Sequence, residues 1–323
     1  MPEPLVVLGE IRTCLLPSAK ALTPEETGEL LALLPGRTVR RRERPGALAV
    51  SPTTAVGVDC DLRLGGDVVR VVGTVAVAVA LSGGRILQCS SHTRVVRAAE
   101  RRRRPWSYYL DRRGVTEVIG RLSVPDRDTA TTALVDGYLT GPRGNTVLDL
   151  ASISERLLAR LRADPRLDQK PPVQAGTTRL RWTARIGGSA GPVAAVRLDD
   201  DRTRSVRLTV RHESELEAAQ WFCEDLAIHD WLLTVLADAL DEADRFATHS
   251  SERTNLLTAL LEHLPGLWMP GAHTPPPLRA LWRDLHADPG LSRQWNLLVA
   301  RLRDSIAVET LNTLRHRTFE SDW

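Results

Sequence analysis

The run from Val68 to Leu81 constrains this chain more than any other segment. Within it β-branched and small residues alternate through Val75, Ala76, Val77, Ala78 and Val79, and a period of two is that of a strand. Ser82-Gly83-Gly84 supplies a tight turn and Ile86 to Val96 returns, so the segment reads as a long hairpin. Neither parity of the Val/Ala stretch is polar, so both faces of the sheet need cover, and a helix is expected to lie across it. Beyond Ser214 the period changes. Ala219, Phe222, Leu226, His229, Leu233, Leu236 and Leu240 recur at alternating intervals of three and four, the stripe of an amphipathic helix. The expected fold class is therefore α+β: an N-terminal mixed sheet-and-helix domain over residues 1–210, then a C-terminal antiparallel helical domain over residues 211–323.

The remaining elements follow from local signals. Leu5 to Leu16 is an apolar strand ended by Pro17, and Thr23-Pro24-Glu25-Glu26 is a capping box opening a helix that stops at Pro35-Gly36. Val39 to Arg44 and Ala47 to Val50 read as extended. Pro105 to Leu110, Val115 to Leu122 and Ala130 to Leu139 read as short helices, and Asn145 to Leu148 as a short extended piece before a helix carrying Ile153, Leu157, Leu158 and Leu161. After the linker Pro171-Pro172 come strands at Thr178 to Ile186, Val193 to Leu198 and Ser205 to Val210. A second capping box, Ser214-Glu215-Leu216-Glu217, opens the long helix. Helices are also expected at Thr254 to Leu264, Pro277 to His286 and Ser292 to Leu314, and no solenoid repeat is evident.

Length and charge exclude several classes. At 323 residues two domains are the natural division, and a net charge of +3 is too small to coat a polyanion. Lysine occurs only as Lys20 and Lys170, so arginine carries nearly all the positive charge, as a GC-rich genome produces. The cysteines Cys14, Cys60, Cys89 and Cys223 lack zinc-type spacing, and the Met1-Pro2-Glu3-Pro4 start is acidic where a signal peptide is basic. The longest apolar run is broken by Arg70 and falls short of the roughly 17 residues that span a bilayer. A cytoplasmic protein, without membrane association and with reduced thiols, is expected.

Three constellations are candidates for chemistry. Asp225 and His229 are one helical turn apart, so the carboxylate can orient the imidazole as a general base. Cys223 is six residues from His229, about 600° around the helix, so the thiol would need a histidine from elsewhere to act as a nucleophile. His229 also sits on the apolar stripe, where a hydrogen-bonded core histidine is the simpler reading. Second, Arg101, Arg102, Arg103, Arg104, Trp106, Tyr108, Tyr109, Arg112 and Arg113 combine cations with aromatics, a pattern suited to phosphates and stacked bases or to a solvated turn. In a parallel cluster, Arg40, Arg41, Arg42 and Arg44, only alternate side chains would share a surface. Third, Trp268 and Met269, followed by a proline run and Trp282, offer a rigid partner-binding loop. Asp59-Cys60-Asp61 and Asp199-Asp200-Asp201 lack the spacing of a calcium loop, the triplet reading as a turn. No nucleotide loop, G-x-S-x-G or zinc motif is present. No metal or cofactor is implied.

Val7-Leu8-Gly9-Glu10-Ile11-Arg12-Thr13-Cys14-Leu15-Leu16-Pro17, Phe222 to Leu233, Leu267-Trp268-Met269-Pro270-Gly271-Ala272 and Arg293-Gln294-Trp295 together resemble an uncharacterised actinobacterial family of the Streptomyces type. That resemblance covers nearly the whole chain. It implies a component of a multi-protein system, encoded in a conserved cluster beside a variant P-loop protein and a methyltransferase-like protein, and it implies no catalytic residues. The first functional expectation is therefore a non-catalytic interaction or scaffold component whose partners are proteins encoded by neighbouring genes. A nucleic-acid or nucleotide-binding module using Arg101 to Arg113, and an enzyme with a His229/Asp225 site, are the alternatives.

Overall fold

The computed structural model describes residues 4–64, 67–100, 102–120, 126–141, 146–187, 191–247 and 250–321. Among these, one mixed sheet is built from β1 (Val6–Leu15), β2 (Arg40–Arg42), β3 (Leu48–Val50), β4 (Thr54–Leu64), β5 (Asp67–Ser82), β6 (Ile86–Arg97), β7 (Val115–Ile119), β8 (Thr178–Ile186), β9 (Val193–Leu198) and β10 (Thr203–Val210). The strand order is β2-β3-β5-β7-β6-β1-β8-β10-β9, with β4 also paired to β5. Two pairings, β6 with β7 and β8 with β10, are parallel and the others antiparallel. The helices are α1 (Pro24–Leu30), α2 (Trp106–Leu110), α3 (Arg127–Thr140), α4 (Leu150–Arg162), α5 (Leu216–Ala243), α6 (Ser251–His263), α7 (Arg279–Ala287) and α8 (Leu291–Ser321). The class is α+β, with the helices of the C-terminal half following the last strand. No described helix is long and apolar enough to cross a membrane.

The long hairpin forms as its alternation requires, with Ala80 opposite Gln88 and Ala76 opposite His92. Beyond that point β5 and β6 diverge and β7 fills the fork, pairing Gly73 with Thr116 on one side and Thr116 with Val95 on the other. A Cβ at Gly73 would lie 2.2 Å from the Val115 carbonyl oxygen, so the fork needs glycine there. The helix expected from Val115 to Leu122 is thus a strand. Val115, Thr116, Val118 and Ile119 are β-branched, the flanking Gly114 and Gly120 have positive φ, and the open fork supplies both ladders; Leu122 lies outside the described residues. The capping box expected at Ser214 does not form either. A 3-10 turn at Glu213–Glu215 leads into α5 without a side-chain cap, and the Glu215 carboxylate accepts from the Arg211 amide at 2.8 Å instead. β4 carries Asp59 and Asp61, which pair with Arg70 across the ladder.

Strand parity divides the core in two. Val6, Leu8, Val75, Val77, Val79, Leu87, Cys89 and Val95 face the layer of α3 and α4. Val7, Ile11, Leu180, Trp182, Val206, Leu208 and Val210 face α5 and share one continuous core with α6, α7 and α8. Of the helices after residue 211, α5 packs directly on the sheet, and α6 and α8 pack on α5 and on one another.

Candidate functional site

The α5 side of β5 and β6 does not close onto the helix. Ala76, Ala78 and Ala80 present methyl groups where their neighbours on the other face present valines, and Gln88, Ser90, His92 and Arg94 continue the same face on β6. The space left is a cavity of about 340 Å³, bounded by Arg40, Val50, Thr53, the Arg113-Gly114-Val115 turn and the first turns of α5. It lies within the size range of small-molecule sites, and in liquid terms it would take roughly ten waters.

One row of the sheet organises its wall. Register places His92 opposite Gly9 and Gly9 opposite Trp182. The Trp182 indole lies flat over Gly9, where a Cβ would sit 2.1 Å from its Cε2, and its ring centroid is 6.4 Å from that of His92. Trp182 Nε1 and His92 Nδ1 are both buried and both without a hydrogen-bond partner. A buried unpaired polar nitrogen costs about 1–3 kcal/mol, so this row holds two unmatched polar groups beside the cavity. Burial pushes His92 down to about 4, aided by the Arg94 guanidinium, so the imidazole is neutral at physiological pH.

The roof is polar as well. Glu217, Gln220, Trp221 and Glu224 face the cavity from α5. Gln220 donates to Glu224 at 2.8 Å, and Gln88 donates to the Glu224 carbonyl at 3.0 Å, tying helix to sheet. Burial raises the Glu224 carboxyl above its ordinary range, against the opposing hydrogen bond from Gln220 and the Arg40 charge. Arg40 and Arg42 stand over the Trp221 ring at 5.7 and 5.3 Å, whereas Arg41 turns back toward Gly28. Arg94 reaches Glu213 at 3.7 Å. Three arginines (Arg40, Arg94, Arg113), His92, Trp182 and Trp221 thus border one space.

Of the candidate site residues singled out in the sequence, Arg40 and Arg113 line this cavity and the others lie elsewhere. His229 is buried on α5 with both nitrogens committed to backbone: Nδ1 donates to the Asp225 carbonyl at 2.6 Å, and Nε2 accepts from the Met269 amide at 3.0 Å. Asp225 accepts from the Thr274 hydroxyl at 2.7 Å and the His273 amide at 3.2 Å, and Trp282 Nε1 donates to that same hydroxyl. The pair clamps the 268–274 loop onto α5. Burial brings the Asp225 carboxyl up to about 6 and His229 down to about 4. Cys223 is fully buried, and burial raises its thiol well above the ordinary value, which disfavours the thiolate a nucleophile needs.

The loop expected to anchor a partner is packed on its own body. Trp282 is buried, Trp268 stacks on Trp295 with centroids 4.5 Å apart, and the Met269 methyl closes over Gly46. Indole burial in the C-terminal core won over exposure because Thr274 satisfies the Trp282 N–H. The arginine–aromatic segment is likewise knitted inward. Arg103 pairs with Asp59 at 3.1 Å, Arg104 with Glu100, and Arg112 with Glu117 and Tyr108. Tyr109 is buried, its hydroxyl accepting from the Arg104 amide, while Trp106 packs over Gly57. Arg102 is exposed, Arg113 lines the cavity, and Arg101 lies outside the described residues. Among the described residues, no three His, Cys, Asp or Glu side chains gather as a metal site.

Sequence reasoning missed Gly9, His92, Trp182 and Glu224 as a set. The available signal was parity: Gln88, Ser90, His92 and Arg94 make one face of β6 continuously polar, on a strand whose partner offers only alanines on that face. No family model, curated protein or solved structure matches the chain.

Proposed function

We propose that this protein is a non-catalytic binding component that takes a small, anion-bearing polar molecule into the cavity between the sheet and α5. The observation that carries this reading is a space lined by three arginines, Arg40, Arg94 and Arg113, whose sheet wall is the polar row Gln88, Ser90 and His92. The arginines suit a carboxylate or phosphate. Glu217 and Glu224 border the space on the α5 side, so an anion is held toward the arginines. In keeping with the Streptomyces-type resemblance, we place this component in the cytoplasm, working beside proteins encoded by neighbouring genes. Its four cysteines are all free, as a reducing compartment maintains.

The test is a thermal-shift and calorimetric screen of organic carboxylates and phosphate esters against the wild type and an Arg94→Gln, His92→Phe double variant. A ligand at 100 times its Kd stabilises by about 2.7 kcal/mol, a shift of several degrees for a chain of this size. The double variant should lose that shift. A ligand that stabilises both proteins equally would show binding elsewhere, and a panel without any hit would remove the anionic reading.

A further inference from the structure

The two ends of the sheet are finished differently. At one end stands β2, three consecutive exposed arginines, the kind of charge that discourages addition of another strand. At the other end stands β9, Val-Ala-Ala-Val-Arg-Leu, which among the described residues pairs with β10 alone. Its Val193 and Leu198 are 57% and 64% exposed. Its single charged residue, Arg197, is 72% exposed, pairs with Asp199 and shares the parity of Ala195 opposite Arg207, so the edge carries one cation in place of the run of three on β2 and is a template for main-chain pairing.

Concavities flank β9 on both faces of the sheet, and they differ in chemistry. On the α5 face a space of about 430 Å³ is lined by Val196, Leu198, Leu285, Leu291, Leu297 and Leu298, with Leu297 on α8 66% exposed at its rim. On the α3 face a space of about 280 Å³ is lined by Val193, Ala195, Thr132, Thr209, Arg185 and Arg207. Register confirms the division: Val196 pairs with Val206, whose parity faces α5, whereas Ala195 pairs with Arg207 on the opposite parity. Arg207 is half exposed and holds Asp136 at 2.9 Å, leaving guanidinium surface open to solvent.

We infer that β9 receives an extended segment of a partner protein by antiparallel or parallel strand addition, with apolar residues at alternate positions and acidic or hydroxyl residues between them. The backbone edge dictates a strand, because only a strand satisfies a row of outward N–H and C=O groups. The pleat then sends successive side chains to opposite faces, into the leucine-lined space and toward Arg185 and Arg207 in turn. No residue lines both the spaces beside β9 and the cavity beneath α5.

The test uses the full chain and two end-blocked ten-residue peptides of identical composition. One alternates Val/Leu with Glu/Thr, and the other gathers its apolar residues in a block. Fluorescence anisotropy should show saturable binding of the alternating peptide at least tenfold tighter than of the blocked one, and hydrogen exchange should slow at the amides of residues 193–198. Leu198→Asp and Leu297→Asp alter largely exposed side chains and should each weaken binding at least tenfold without changing the melting temperature. Equal affinity for the two peptides, absent binding, protection outside β9, or indifference to both substitutions would each overturn the proposal. Sedimentation of the wild type as a dimer that Leu198→Asp dissolves would overturn it too, by making a second copy of this chain the occupant.

Discussion

At position 9 the absence of one methyl group determines where an indole lies. Trp182 covers Gly9 so closely that an added Cβ would overlap Cε2, and the same placement brings the indole N–H beside His92. Gly9→Ala should destabilise the protein by about 1–3 kcal/mol as an overpacked core site does. In urea denaturation, combination with Trp182→Leu should cost clearly less than the sum of the two single changes, because both act on one contact. Additive costs would show that Gly9 matters for its backbone rather than for the ring above it. The His229–Asp225 clamp makes a second prediction. The Asp225 carboxyl stands at about 6 against 3.8 unfolded, so its contribution is full below 3.8 and is lost as pH rises toward 6. His229 stands at about 4 against 6.5 unfolded, so its contribution is full above 6.5 and is lost as pH falls toward 4. Between about pH 4 and 6 the two slopes oppose each other. Asp225→Asn removes one of them, and melting temperatures of the variant should fall relative to wild type as pH drops from 6.5 to 4. A constant offset across that range would refute the assignment.

β5 is the element whose two faces have separate tasks. Val75, Val77 and Val79 fill the core toward α3 and α4, while Ala76, Ala78 and Ala80 floor the cavity. Val77→Ala should cost roughly 2 kcal/mol, from two lost methyl groups and the void they leave. Ala78→Leu should leave stability within about 1 kcal/mol, since it grows into open space, yet abolish the thermal shift produced by any cavity ligand. Loss of stability from Ala78→Leu comparable to that from Val77→Ala would mean that the space is not there to be filled. This division also explains what was legible beforehand. The hairpin, β1, β8, β9, β10 and the long helices follow from periodicity and turns within single segments. The Val/Ala alternation was visible too, but alone it said only that both faces were covered. The cavity depends on register, which sets Gly9 between His92 and Trp182, residues far apart in the chain. β7 was misread because five residues carry too little period to oppose a helix, and its strand form depends on the fork between β5 and β6. His229 and Asp225 were correctly expected to share a helix face, but the amide of Met269 that claims the second imidazole nitrogen arrives from a loop that spacing does not reveal.

Across the whole molecule the sheet and the C-terminal helices depend on one another. α5 buries Phe222, Leu226, Trp231 and Leu233 in a core that includes Ile11, Trp182, Val206 and Leu208 from the sheet. Trp231 Nε1 donates to the Gly176 carbonyl at 2.9 Å, across the entry to β8. Beside it Arg204 on β10, buried, holds Asp230 on α5 at 2.8 Å while also donating to the Asp200 carbonyl and the Thr234 hydroxyl. Loss of Arg204 would strand a carboxylate that burial already makes costly to ionise. Arg204→Met alone should therefore destabilise by about 3 kcal/mol, whereas Arg204→Met with Asp230→Leu should recover most of that loss, because an apolar pair of similar volume replaces a buried ion pair at little cost. If the strands and helices were separately stable, either change would shift only part of the unfolding signal. A shared core requires instead that far-ultraviolet circular dichroism, which reads the helices, and hydrogen exchange at the β1 and β8 amides, which reads the sheet, move through one common midpoint in wild type and both variants. Distinct midpoints would show that the polar bridge joins two bodies that fold alone, and the cavity between sheet and α5 would then open whenever the weaker body melts.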